Sequence, residues 1–403
     1  MKFLVSSVCA CAVAVNFMAV AVGAAPLGAV YLMTNVESGN WIVAHNIQAG
    51  GILTFGSFTP TGGKGLHGTD SPPPNTPDAT FSQGTVKVHG NNLFVTNPGS
   101  GSIAMFSIDT TSPSVLTRIG TFDSGGEFPN AIAISAQTGH LCVANGGAVS
   151  GVQCFTIDQT KGLSKIPGGF RTLHLTQTTP PLGPGGTVSG LLFSEDGSKL
   201  FVAVKGFPPT PGYIATFTVS KSGALSNTFT KSTPPNGLLP FGMSTIPGTQ
   251  GIINADAGAG FTVFDFTNAN TAKSAITTPL KGQVTPCWTV FSQKTQTFFL
   301  TDVGAATISE VSVDRSTLKA TVVKQYQQEV NAATADDDIA TINGNDYLYV
   351  LEGNNTSVGV LALNGPGKAV HIQTHNFSRI AEDAGITLEP INFQGMSTWV
   401  KST

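Results

Sequence analysis

The chain has 403 residues, 40% of them hydrophobic and 11% charged, with 47 glycines and 24 prolines. This is ample apolar material for a large core, in a composition that suits many short strands joined by tight turns. A net charge of −3 and a pI near 6.1 provide no basic face for nucleic acid or an anionic membrane surface, so both partner classes are set aside.

Residues 1–24, MKFLVSSVCACAVAVNFMAVAVGA, read as a secretory signal peptide: one Lys, an apolar run, then Val22, Gly23 and Ala24 before a cleavage point. An N-terminal membrane anchor is the alternative, and no later stretch is long and apolar enough to span a bilayer. Residues 25–403 are expected to form one secreted domain, extracellular or cell-wall associated. Asn354 and Asn355 in NNTS and Asn376 in NFS fit glycosylation acceptors. Past residue 24 three cysteines remain, Cys142, Cys154 and Cys287.

One unit recurs along the chain: a strand, a polar residue, a loop and a second alternating strand. It starts at Val30 (VYLMTNVESGNWIVAHNI), Leu93 (LFVTNPGSGSIAMFSID), Leu141 (LCVANGGAVSGVQCFTID), Leu200, Ile252, Phe298 and Leu348. Spacings of roughly 45 to 60 residues match a four-stranded propeller blade. A shorter strand precedes all but the first copy: SQGTVKV, FPNAIAIS, TVSGLLFS, PFGMSTI, PCWTVFS and DDIATI. These read as the innermost strands, with small residues where strands crowd a central axis. The Val30 copy lacks such a partner, and FQGMSTWV, residues 393–400, supplies it from the other end. The predicted fold is all-β, a seven-bladed propeller closed by its C-terminal strand, so that no sheet edge stays open. Folding LCVANGGAVSGVQCF about its midpoint sets Cys142 opposite Cys154, which predicts a cross-strand disulfide in an oxidising compartment. Cys287 is then expected to be buried and unpaired.

The strand, turn, strand pattern of LLFSEDGSKLFVAV resembles the lactonase-type seven-bladed propellers, which include 6-phosphogluconolactonases and 3-carboxymuconate cyclases. More narrowly, SQGTVKVHGNNLFVTNPGSGSIAMFSID, GEFPNAIAIS, CVANGGAVSGVQCF and LTQTTPPLGP are similar to secreted fungal proteins called 3-carboxymuconate cyclase-like, some of them cell-surface glycoproteins. The resemblance implies catalytic His and Arg at the starts of inner strands. This chain carries Gln83, Asn130, Ser189, Phe241, Trp288 and Gln394 there, so the family's carboxylate binding and proton transfer are not supplied by that route.

In an up-and-down blade the start of the inner strand and the end of the next strand meet at the same mouth of the channel. The second-strand ends contribute Asn35, Asn97, Asn145, Lys205, Asp256, Asp302 and Glu352, with Asp336, Asp337 and Asp338 beside them. Several readings stand for this acidic arc: capping of turns, a hard cation such as calcium on oxygen ligands, or a carboxylate with a raised pKa. No other cofactor is expected. HIQTH, with His371 and His375, lies in extended sequence where the two rings stand far apart, so zinc is not expected; His45, His89, His140 and His174 fall away from the mouth. There is no GxSxG elbow, phosphate loop or CxxC pair.

Two functional classes remain. The first is a monomeric binding propeller that presents Gln83, Asn97, Phe241 and Trp288 to a glycan, a small ligand or a host surface. The second is an extracellular cyclase, lactonase or glycan lyase using Lys205 and the acidic arc.

Overall fold

The computed structural model describes residues 25–71, 75 and 77–401; the expected signal peptide lies outside them. Seven antiparallel sheets stand in a ring, one per repeat. Blade 1 is Gln394–Val400, Gly28–Met33, Trp41–Ile47 and Leu53–Pro60, from the axis outwards; blade 2 is Val86–His89, Asn92–Asn97, Ser102–Ile108 and Leu116–Asp123. The inner strands of blades 3 to 7 are Pro129–Ile134, Val188–Phe193, Pro240–Thr245, Pro286–Ser292 and Thr334–Ile342. Each second strand is short and mostly apolar, and each is buried at every described position in blades 1 to 6. A strand covered on both faces by neighbouring blades has no solvated side to carry polar alternation.

The ring closes as its sequence repeats require. Gln394–Val400 pairs antiparallel with Gly28–Met33, setting Val400 opposite Gly28 and Gln394 opposite Met33, and the seven inner strands pack on one another in an unbroken circuit. The core is distributed among the seams between blades. Leu93, Val95 and Phe106 meet Tyr31 and Ile42 between blades 1 and 2, while Leu348 and Val350 meet Phe299 and Ile308 between blades 6 and 7. The closing seam holds Val30, Leu32 and Val43 against Tyr349, Leu351 and Val360.

The hairpin of blade 3 sets Cys142 directly opposite Cys154, and the two form a disulfide with Cα atoms 4.0 Å apart. Cys287 is free and buried. Among the described residues no helix is long and apolar enough to cross a membrane.

Two features of the ring matter for its axis. In six blades the inner strand shifts register by a residue near its start, as between Thr334 and Asp337 in blade 7; such bulges re-aim side chains next to the channel. The connection from Pro60 to Val86 is also much longer than a tight turn. It runs inward across the face where the inner strands begin, tied by Leu66 N–H to Asn35 Oδ1 at 3.1 Å, Thr69 N–H to Pro181 O at 2.8 Å and Gln83 N–H to Ser189 O at 2.8 Å.

Candidate site in the central channel

The crossing segment plugs the mouth at which the sequence places its site. Ala79, Thr80, Phe81 and Ser82 are buried. Lys205, from the end of a second strand, donates through Nζ to the Phe81 carbonyl and lies 4.3 Å from the centroid of Phe241, itself packed edge-on against Trp288 at 5.2 Å. Phe241 and Trp288 are at most 1% exposed, so that face does not present them to a ligand. Gln394 is the knot of this layer: its Nε2 lies 2.9 Å from Asp336 Oδ2, 3.1 Å from Asp78 Oδ1 and 3.0 Å from the Ser82 carbonyl. Burial raises the carboxyls of Asp78 and Asp336, the latter to about 7, and lowers the Lys205 ammonium; Asp78 and Lys205 each offset part of the other's desolvation. Gly395 stands at φ 75 there, and a Cβ would sit 2.4 Å from Thr85 Oγ1, so this turn of the closing strand needs glycine.

The other expected residues mostly hold their own loops. Asp256 accepts N–H groups of Leu238, Leu239 and Gly258, and Asp302 those of Val284, Thr285, Gly304 and Ala305. Asn145 accepts Ser124 Oγ at 2.6 Å, Asn97 accepts Thr61 Oγ1 at 2.7 Å, and Glu352 accepts Ser357 Oγ at 2.8 Å. Asn130 donates to the carbonyls of Thr80 and Val188, and Ser189 to that of Pro240. The acids of the arc therefore do not converge, and among the described residues no three His, Cys, Asp or Glu side chains gather as a metal set. Asn354, Asn355 and Asn376 lie together at the turn and outer strand of blade 7, on the plugged face; Asn354 and Asn376 are exposed, with Asn376 Nδ2 2.5 Å from the Asn355 carbonyl.

The open cavity lies on the other side of the plug. The central channel, about 730 Å³, runs from the middle of the inner strands to the face where they end, and is blind at Gln83 and Gly84. Its walls include Ile132, Leu191, Met243 and Phe291. At the blind end stand Gln83, Lys87, Thr289, Asp337 and Asp338. Gln83 donates through Nε2 to the Thr289 carbonyl at 3.0 Å, while its Oε1 has no partner. Asp338 accepts the Thr398 N–H at 2.7 Å. Asp337 is 4% exposed and neither carboxylate oxygen has a hydrogen-bond partner. Burial lifts its carboxyl well above the ordinary range, the charges of Asp336 and Asp338 lift it further, and Lys87 opposes them. A buried acid so poised, in a cavity and beside a cation, is equipped to move a proton.

Sequence reasoning placed Asp337 beside the arc without singling it out, and missed Asp78 and Lys87. Lys87 carried a signal: outside the triple Asp run it is the one charged residue within the seven inner-strand segments.

The family model described as lactonase, seven-bladed β-propeller, matches residues 64–166, which span most of the plug, blade 2 and blade 3 as far as its strand Gly162–Lys165. No curated protein matches. Among solved structures, a periplasmic gluconolactonase of Pseudomonas aeruginosa is similar over 87% of this chain and 96% of its own, with TM-score 0.65 and 16% identity. A candidate 6-phosphogluconolactonase of Bacteroides fragilis is similar over 93% and 98%, with TM-score 0.60 and 12% identity. A functionally unknown protein of Desulfotomaculum acetoxidans gives 93% and 99%, with TM-score 0.63 and 12% identity. At these identities the likeness is one of fold.

Proposed function

We propose that the protein is a secreted lactonase-type enzyme that works at the blind end of its central channel. The observation that carries this reading is Asp337, a buried carboxyl with no partner, facing an open cavity beside Lys87. The partial family match and the lactonase propellers among its structural neighbours support the reaction class. The disulfide fits an oxidising compartment outside the cytosol.

In lactone opening, water adds to the carbonyl carbon and the ring C–O bond breaks. One proton must leave the water and one must reach the released alkoxide. Asp337, as carboxylate, takes the first and returns it as the second, so atoms and charge balance without a cofactor. Lys87 places positive charge where the carbonyl oxygen becomes an oxyanion, and Gln83 and Thr289 orient hydroxyl groups of the ligand. Because the Asp337 carboxyl is raised, the carboxylate form is populated only at higher pH, and the rising limb of kcat/KM lies well above the usual carboxylate range.

The test is turnover of a lactone panel by the purified protein and by Asp337→Asn. The substitution is expected to lower kcat by about 100-fold or more, with thermal stability kept or raised because a buried unpaired acid is removed. Unchanged kcat in a folded Asp337→Asn protein would remove Asp337 from the mechanism.

The narrower reading, a secreted fungal 3-carboxymuconate cyclase-like protein, draws on the motifs of blades 2 and 3. It has less support at the site, since a substrate with several carboxylates meets one lysine among acids. Binding without catalysis is the second reading, favoured by the absence of His and Arg at the inner-strand starts. It predicts that ligands bind in the channel and no lactone is opened.

A further inference from the structure

The channel's charges constrain what can enter it. Its lining carries one lysine, Lys87, one histidine, His89, and three acids, Asp337 and Asp338 at the blind end and Glu195 at the open rim; no arginine lines it. The charge of Lys87 acts on Asp336, Asp337 and Asp338, opposing the burial that raises their carboxyls. The walls are inner β-strands, each paired on one side by the second strand of its blade, and the Gln83 N–H at the blind end is bonded to the Ser189 carbonyl. Neither a helix N-terminus nor an arginine fork is present to receive a phosphate there. What the blind end does offer is suited to hydroxyl groups: Gln83 Oε1, Thr289 Oγ1 and both oxygens of Asp337 are buried and unpartnered. Ile132, Leu191 and Met243 line the same cavity with apolar surface for the C–H face of a ring.

We infer that the channel takes an uncharged, polyhydroxylated lactone and rejects the phosphorylated counterpart, an inference about substrate class that rests on the lactonase reading above. The phosphate of such a counterpart would bring two negative charges into a passage already rich in acids, where like-charge contact is strongly unfavourable. Glu195 contributes to that rejection from the rim, where it is exposed and accepts the Gly248 N–H at 2.7 Å.

The experiment compares kcat/KM for glucono-1,5-lactone and 6-phosphoglucono-1,5-lactone on the full secreted protein, at low and at physiological ionic strength. A preference of about 100-fold or more for the uncharged lactone is expected at low salt, narrowing as salt screens the repulsion. Glu195→Lys is expected to narrow it as well by raising the rate on the phosphorylated lactone. Equal or faster turnover of the phosphorylated lactone overturns the inference. If neither lactone is opened, the enzymatic reading fails on its own. The charge inference is then decided by calorimetry with 1,5-anhydroglucitol and its 6-phosphate: binding of the neutral polyol at least tenfold tighter upholds it, and equal affinity, tighter phosphate binding or no binding of either overturns it.

Discussion

His45 gives a quantitative handle on the seam where the ring closes. It lies on the third strand of blade 1, fully buried between Phe55 and Phe377, with its ring 5.0 Å from that of His375 on the outer strand of blade 7. Neither of its nitrogens has a hydrogen-bond partner. Burial first, and then the charge of His375, lowers its pKa from 6.5 to about 3. The folded state therefore refuses a proton that the unfolded chain accepts, so stability is intact above pH 6.5 and lost as pH falls below it, down to about 3. At pH 4.5 the unfolded residue lies about two units below its pKa, which costs the fold about 2.7 kcal/mol, since each unit is worth about 1.36 kcal/mol. His45→Phe retains the aromatic packing and removes this titration. Denaturant melts of both proteins at pH 7.5 and 4.5 give a double difference in which the packing change cancels, as do the other titrating groups. His375 is lowered by burial alone, so its own contribution persists in both proteins. The variant is expected to gain about 2 to 3 kcal/mol on the wild type between the two pH values. A double difference near zero would refute the reasoning, because it would mean that His45 takes up its proton inside the fold.

Replacing Cys142 and Cys154 together by Ala opens a link of sequence separation 12; by the chain-entropy estimate it should cost about 3 kcal/mol in denaturant melts, with the cavities left by two buried sulfurs adding to that. Lys205→Met deprives Asp78 of its counter-charge and the Phe81 carbonyl of its donor, and should lower stability by about 1 to 3 kcal/mol. Because Lys205 is buried against the plug and does not line the channel, that variant should leave KM for a channel substrate within about twofold; a large rise in KM measured on the folded protein would return the site to the plugged face.

The architecture was legible because a propeller states itself repeatedly. The strand, polar residue, loop and strand unit from Leu93 returns at Leu141, Ile252 and Phe298, and the missing inner strand of the Val30 copy could be found only at residues 393–400. The disulfide was legible for a related reason, since the register of a short hairpin about residue 148 allows Cys142 only one partner. The open mouth was not legible. Topology does bring Lys205, Phe241, Trp288 and Gln394 to one end of the axis, but the described residues between 61 and 81, which help to bury them, belong to no repeat and show no periodicity that would announce a lid. Nor could alternation choose among Asp336, Asp337 and Asp338. A period of two would give the first and third one role. The bulge between Thr334 and Asp337 instead turns Asp336 to the plug, Asp337 to the channel and Asp338 to Thr398.

A sevenfold scaffold gives equivalent positions equivalent work, and the second-strand ends illustrate it: Asn97, Asn145, Asp256 and Asp302 all tie down neighbouring loops. The chemistry has to come from positions where the repeat is broken. Those positions cluster. Lys87 lies on the inner strand of blade 2 and Asp336, Asp337 and Asp338 on that of blade 7, the two that flank the closing strand of blade 1. Gln394, the first residue of that strand, holds both Asp336 and the plug's Asp78. Closure of the ring therefore does more than cover sheet edges: it fixes the run of acids that presents Asp337 to the channel and anchors the segment that makes the channel blind. Deleting the closing strand should consequently remove the site as well as the seam, whereas the third and outer strands of blades 4 and 5, which do not line the channel, can vary in sequence so long as they fill their places in the circuit.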